Sequence, residues 1–269
     1  MSNQRKIKRY QIKNLQIIFL WLKWFIRIEH DERLDLINRP ILLAFNHNNY
    51  FETLMIALVF LFRMKGQKVT FMVDWMYSKL PVIGWFVDQI EPVLVYNKKA
   101  SLTYLNRLKP LQRRQTVLAE CLQRLRDNCS IGIFPEGTRN PDPYNLRRGR
   151  QGVGELALQA RVPVVPVGVD FPARHRLGRV PAFGRLVLRI GKPLTFPVEL
   201  AACDHLLQDT GNHLNIKKKL ERFFAARVTH AIMVELSHLA GKTYPFARPV
   251  TPPEAHAYFN SKRGSHGTN

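Results

Sequence analysis

Six short apolar runs, each rich in β-branched or aromatic residues, recur along the chain: ILLAF at 41–45, VTFMV at 69–73, PVLVY at 92–96, IGIF at 131–134, VVPVGV at 164–169 and LVLRI at 186–190. Runs of this length and composition read as strands. Helical patterns lie between them. Residues 53–64 are apolar nearly all round, which suits a buried or membrane-facing helix. Residues 102–127 carry leucines between basic residues, with an interruption near Pro110. Residues 152–160 form a short helical stretch, and 216–239 place Leu220, Phe223, Phe224, Val228, Ile232 and Leu236 on one face. Alternating strands and helices predict an α/β domain with a central, mostly buried sheet flanked by helices. The chain divides into a basic and apolar segment at 1–35, one domain at 36–240, and a polar tail at 241–269 that is loose or only docked.

The apolar part of the first segment, 15–28, is interrupted by Lys23 and Arg27. It falls short of the ~20 apolar residues of a spanning helix, and no small-residue cleavage site follows it. Its tryptophans and flanking basic residues predict an N-terminal membrane-interface helix; the alternative is a helix packed on the protein's own core. The net charge is +21, from 41 Lys and Arg against 20 Asp and Glu. Such an excess points to a polyanionic partner, a membrane surface or a nucleic acid.

Three stretches carry chemistry. In FNHNNYFET, residues 45–53, His47 follows a strand and Glu52 falls in the first turn of the next helix. From there the carboxylate can reach back to the imidazole, fixing its tautomer and leaving the other nitrogen as a base. The same glutamate also fits a capping box, with Asn49 as N-cap and Glu52 at the third helical position. In SIGIFPEGTRN, residues 130–140, a strand ends in a turn allowed by Gly137, flanked by Glu136 and Arg139. Free backbone N–H groups and an arginine suit a phosphate or carboxylate; a β-turn with a surface Glu–Arg pair is the plainer reading. In RQGVGELALQARVPVVPVGVD, residues 150–170, a short helix runs into an apolar strand. Pro163 and Pro166 predict that this strand is marginal or bulged, because proline cannot donate to a ladder.

In order and spacing these stretches resemble the glycerolipid acyltransferase family, typified by bacterial 1-acylglycerol-3-phosphate acyltransferase. The first family motif, NHxxxxD, corresponds to Asn46, His47 and Glu52, with glutamate in place of aspartate. FPEGTR is matched without change from Phe134 to Arg139. The VPVVPV-type strand is matched at 162–167, and the helix before it by Gly152, Leu156 and Ala157 with Pro163. The likeness runs from about 41 to 192. It implies transfer of an acyl group from a thioester, acyl-CoA or acyl carrier protein, to the hydroxyl of a lysolipid, by default lysophosphatidic acid, with no cofactor. It implies that His47 is the general base, that Glu52 orients it, and that Glu136, Gly137, Thr138 and Arg139 bind the acceptor, Arg139 at its phosphate. The implied place is the cytoplasmic face of a membrane, held peripherally or monotopically. Residues 53–64 and the N-terminal helix are candidate walls for the acyl chain. The second family motif usually ends in an arginine. Asn97 stands near that place among the implied substrate-binding residues, and Lys98 or Lys99 would supply the charge without the bidentate fork of arginine, which leaves another lysolipid or a non-phosphate alcohol as the alternative acceptor.

No GxSxG elbow is present, so transfer is expected to be direct, without an acyl-enzyme. The histidines at 175, 205, 213, 230 and 238 show no ligand spacing, and no metal is implied. Cys121, Cys129 and Cys203 suit packing in a reducing compartment better than a disulfide framework. The rival class is a nucleic-acid-binding protein, suggested by KIKR at 6–9, RRGR at 147–150 and KKK at 217–219. No helix-turn-helix, zinc or RNP signature supports it, so nucleic acid is not an expected partner. A catalytically inactive lipid-binding relative is a third reading, permitted by the changes at Glu52 and Asn97.

Overall fold

A computed structural model describes residues 24–35, 37–64, 68–79, 84, 91–96, 116–209 and 214–246. Seven strands form one sheet: β1 (Ile26–Glu29), β2 (Leu42–Phe45), β3 (Lys68–Asp74), β4 (Val93–Val95), β5 (Cys129–Ile133), β6 (Val164–Asp170) and β7 (Leu186–Ile190). Their order is β1-β7-β6-β2-β5-β3-β4. Neighbouring strands run parallel except at β6–β7, so β1 and β7 oppose the rest. The helices are α1 (Glu32–Asp35), α2 (Tyr50–Arg63), α3 (Val117–Arg126), α4 (Gly152–Ala160), α5 (Ala173–Leu177), α6 (Pro197–Asp209) and α7 (Leu214–Ala240). A 3₁₀ turn, Trp75–Lys79, follows β3.

The six expected strands are present. The strand alternation sorts the core: Leu43 and Phe45 pack with α2 on one face, Leu42 and Ala44 with α3, α4 and α7 on the other. Every residue of β2, β5 and β6 is buried, as expected of parallel strands covered on both faces. β6 is therefore a central strand, not a marginal one. The effect of Pro166 falls on the β7 side. Val167 pairs with Ile190, yet Val164 bridges Leu194, so one extra residue stands opposite the proline. The ladder slips where the missing N–H would have been needed.

The expected interfacial helix is corrected at its end. Ile26–Glu29 is an edge strand in register with Leu186–Arg189; the rest of that helix, residues before Trp24, lies outside the described residues. The tail expected from 241 is docked as far as Phe246, with Lys242 and Tyr244 buried. Residues 247–269 lie outside the described part. α7 seats closely on its neighbours: a side chain on Gly154 would overlap the Ala225 carbonyl, and one on Gly168 would overlap the backbone of Leu239. No helix among the described residues is long and apolar enough to cross a membrane.

Candidate active site

After β2 the chain enters α2 on one face of the sheet, and after β5 it reaches α4 on the other. The two strands are neighbours. A crevice at the carboxyl ends of such strands is where α/β sheets place ligands. Both sequence motifs fall there, NHNNYFET after β2 and FPEGTR after β5.

Asn46 begins the turn. Its side chain mimics a strand, accepting from Val169 N at 2.6 Å and donating to Val169 O at 2.9 Å. His47 is then clamped by the second loop: its N–H donates to Glu136 Oε1 at 2.9 Å, and its carbonyl accepts from Asn140 N at 2.7 Å. The ring lies against Phe134, with centroids 4.3 Å apart. Nδ1 stands 3.0 Å from Glu52 Oε1.

The Glu52 backbone takes part in the helix cap, while its carboxylate turns to His47 and Asn48. Asn49 caps α2 by accepting the Glu52 N–H at 3.1 Å. In a reciprocal capping box the carboxylate would return to the Asn49 N–H. Here it reaches further, to the Asn48 N–H, to Asn48 Nδ2 at 2.9 Å and to His47. The Glu52 side chain is fully buried, and that of His47 is 16% exposed. No described residue is hydrogen-bonded to His47 Nε2.

Glu136, expected at the acceptor, is engaged by the protein itself. It is buried, and its oxygens accept from His47 N, from Asn140 Nδ2 at 2.9 Å and from Arg147 N at 2.8 Å. Burial pushes its carboxyl above the ordinary range, and these hydrogen bonds pull it back. With both oxygens occupied it holds the two loops together. It does not pair with Arg139, so the surface ion pair is also excluded. Gly137 has a φ of +64°, and a side chain there would overlap the Arg150 side chain. Thr138 and Arg139 are half-buried. The Arg139 Cζ lies 3.2 Å from the centroid of the Tyr50 ring, a cation–π stack at the first turn of α2. Tyr77 joins this group, its hydroxyl pushed up by burial and by a hydrogen bond with Tyr50. Asn97, Lys98 and Lys99 lie outside the described residues.

RRGR, which suggested nucleic acid, belongs partly to this scaffold: the Arg147 N–H holds Glu136 and the Arg150 side chain crosses Gly137. Among the described residues no group of three His, Cys, Asp or Glu side chains is placed to hold a metal ion. Asn48, Tyr50 and Asn140 sit within or beside the quoted motifs, and no local pattern marks them as partners of the site.

The family profile described as Acyltransferase matches residues 25–170, more than half of the chain. The chain belongs to the acyltransferase family. Among relatives, it is 26% identical over 165 residues to the 1-acyl-sn-glycerol-3-phosphate acyltransferase of Saccharomyces cerevisiae, covering 60% of this chain and 49% of that protein. Over a shorter 53-residue stretch it is 47% identical to human 1-acyl-sn-glycerol-3-phosphate acyltransferase beta, 19% of each. The match to the yeast protein thus spans about half of that relative's length. A crystal structure of the Thermotoga maritima 1-acyl-sn-glycerophosphate (LPA) acyltransferase, PlsC, aligns over 85% of this chain and 82% of that one, with 19% identity and a TM-score of 0.49. Within this acyltransferase chain both His47 and the FPEGTR loop fall inside the matched stretch.

Proposed function

We propose that the chain transfers a fatty acyl group from an acyl thioester to the hydroxyl of a lysophospholipid, converting lysophosphatidic acid to phosphatidic acid. The donor is acyl-CoA or acyl carrier protein. The observation that carries this reading is the 3.0 Å contact between His47 Nδ1 and the buried Glu52 carboxylate, beside the FPEGTR loop. A carboxylate on Nδ1 holds the proton there and leaves the lone pair on Nε2. Nε2 takes the acceptor hydroxyl proton as that oxygen attacks the thioester carbonyl. The imidazolium, stabilised by Glu52, gives the proton to the departing thiolate. A C–O bond forms, a C–S bond breaks, and no covalent enzyme species is required.

General-base assistance supplies roughly 10²- to 10⁴-fold; orientation and donors to the oxyanion supply the remainder. Arg139 is assigned to the acceptor phosphate, its guanidinium seated over the Tyr50 ring with a planar fork to offer. The yeast and human relatives, both 1-acyl-sn-glycerol-3-phosphate acyltransferases, support this acceptor class. A lipid acceptor and the basic excess fit an anionic cytoplasmic leaflet, with peripheral or monotopic attachment.

The test is an acceptor panel with an isotope-labelled acyl thioester, read by lipid mass spectrometry. Labelled phosphatidic acid from lysophosphatidic acid is expected. Transfer to a non-phosphate alcohol alone would move the assignment of Arg139, and transfer to none would overturn the reading.

A further inference from the structure

We infer that Lys242, which lies outside the stretch matching the family profile, is a positioning residue for the catalytic pair, acting through Asn48. The inference rests on the reading of His47 and Glu52 as base and orienting carboxylate.

The Lys242 side chain is buried, and its ammonium donates to Asn48 Oδ1 at 2.6 Å and to the Asp142 carbonyl at 2.7 Å. The Asn48 amide then donates through Nδ2 to Glu52 Oε2 at 2.9 Å and to the Val169 carbonyl at 3.1 Å. An ammonium has donors only, and a carboxylate accepts only. The amide between them therefore has one permitted orientation, oxygen to Lys242 and nitrogen to Glu52. Reversal would set oxygen against oxygen at one end and N–H against N–H at the other. Lys242, Asn48, Glu52 and His47 form one directed chain, ending on the ring nitrogen opposite the proposed base.

The end of α7 delivers Lys242 to this place. Gly241, with a φ of +59°, ends α7, where the Lys242 N–H bonds the Ser237 carbonyl at 3.0 Å and the Gly241 N–H bonds the His238 carbonyl at 3.3 Å. This is a Schellman turn. The buried Arg174 accommodates it by donating to the Gly241 carbonyl at 2.8 Å. A lysine is seldom buried without a task, because its ammonium leaves water at a cost. Burial pushes the Lys242 ammonium below its ordinary range; Glu136, Glu52 and Asp142 draw it back, and Arg174 opposes them.

The test compares Lys242→Met with the parent, full-length and in detergent micelles, by steady-state kinetics with lysophosphatidic acid and acyl-CoA. With cooperative unfolding retained, kcat should fall at least ~10-fold, a partial loss of the roughly 10²- to 10⁴-fold that general-base assistance supplies. KM for acyl-CoA should stay within about twofold, because the Lys242 ammonium is buried against Asn48 and the Asp142 carbonyl. Asn48→Ala should show the same split. The double variant should be no worse than the poorer single within about threefold, since both act on one chain. Losses that multiply, or a fully active Lys242→Met, overturn the inference. If Lys242→Met does not fold, Asn48→Ala decides alone, and full activity there overturns it. His47→Ala is run beside them. An inactive His47→Ala with an active Lys242→Met removes only the role of Lys242, whereas an active, folded His47→Ala removes the base assignment and this inference with it.

Discussion

Glu52 is fully buried and still lies 3.0 Å from His47 Nδ1. Its oxygens face N–H donors on both sides, from the Asn48 backbone and the Asn48 amide. In Glu52→Gln, either placement of the new amide sets an N–H against an N–H. A buried donor left unsatisfied costs about 1–3 kcal/mol, so the melting temperature should drop by several degrees. The loss in kcat should be larger, ~10²-fold or more, because the charge that stabilises the imidazolium is gone. Kinetics normalised to folded protein separate the two effects. Activity that falls only in step with the folded fraction would remove the orienting role.

Arg139 is tested by its substrate bias. Arg139→Ala should raise KM for lysophosphatidic acid at least several-fold more than KM for the thioester. Arg139→Lys should rescue in part, because it keeps the charge but loses both the fork and the guanidinium contact with Tyr50. Equal changes for both substrates would make Arg139 part of the scaffold.

Lys242 gives a pH signature in stability. Its ammonium is held below the ordinary 10.5 in the folded protein, so the unfolded chain binds more protons between the two values. Stability from this group is lost as pH falls through the lowered folded value and is fully present above 10.5. Urea titrations of the parent and of Lys242→Met should therefore diverge, the parent gaining relative stability as pH climbs through that window. Parallel curves would show that the group titrates normally.

Gly168→Ala tests the seating of α7. A methyl group there meets the backbone of Leu239, not a yielding side-chain end. The expected cost is about 1–3 kcal/mol, as for other overpacked core sites, measured by thermal or urea unfolding. Unchanged stability would mean that the helix shifts freely over β6.

Much of the sheet is legible in the sequence because its central strands are buried on both faces and so read as unbroken apolar runs. β1 is not legible in this way. Ile26–Glu29 continues a longer apolar stretch, and periodicity alone does not separate a short strand from a helix end. α6 has a signal, Pro197 at its start and Glu199 in its first turn, that goes unused. At the site, the motif residues are local and visible, but their partners are not. Glu136 reads as a ligand-facing acid until the backbone of His47 and Arg147 is seen to occupy it. Val169 and Lys242 lie 123 and 194 positions from the asparagines they meet, and no local pattern encodes such contacts.

Gly154 and Gly168 fix α7 at two points along its axis, and Gly241 ends it one residue before Lys242. The helix is thereby a gauge block whose length is set in whole residues. One residue inserted between Ala225 and Leu239 would rotate its far end by about 100° and advance it by about 1.5 Å. Lys242 would then miss Asn48 although every side chain of the site remained in the sequence. The stretch between the two contacts should therefore accept changes of composition far more readily than changes of length.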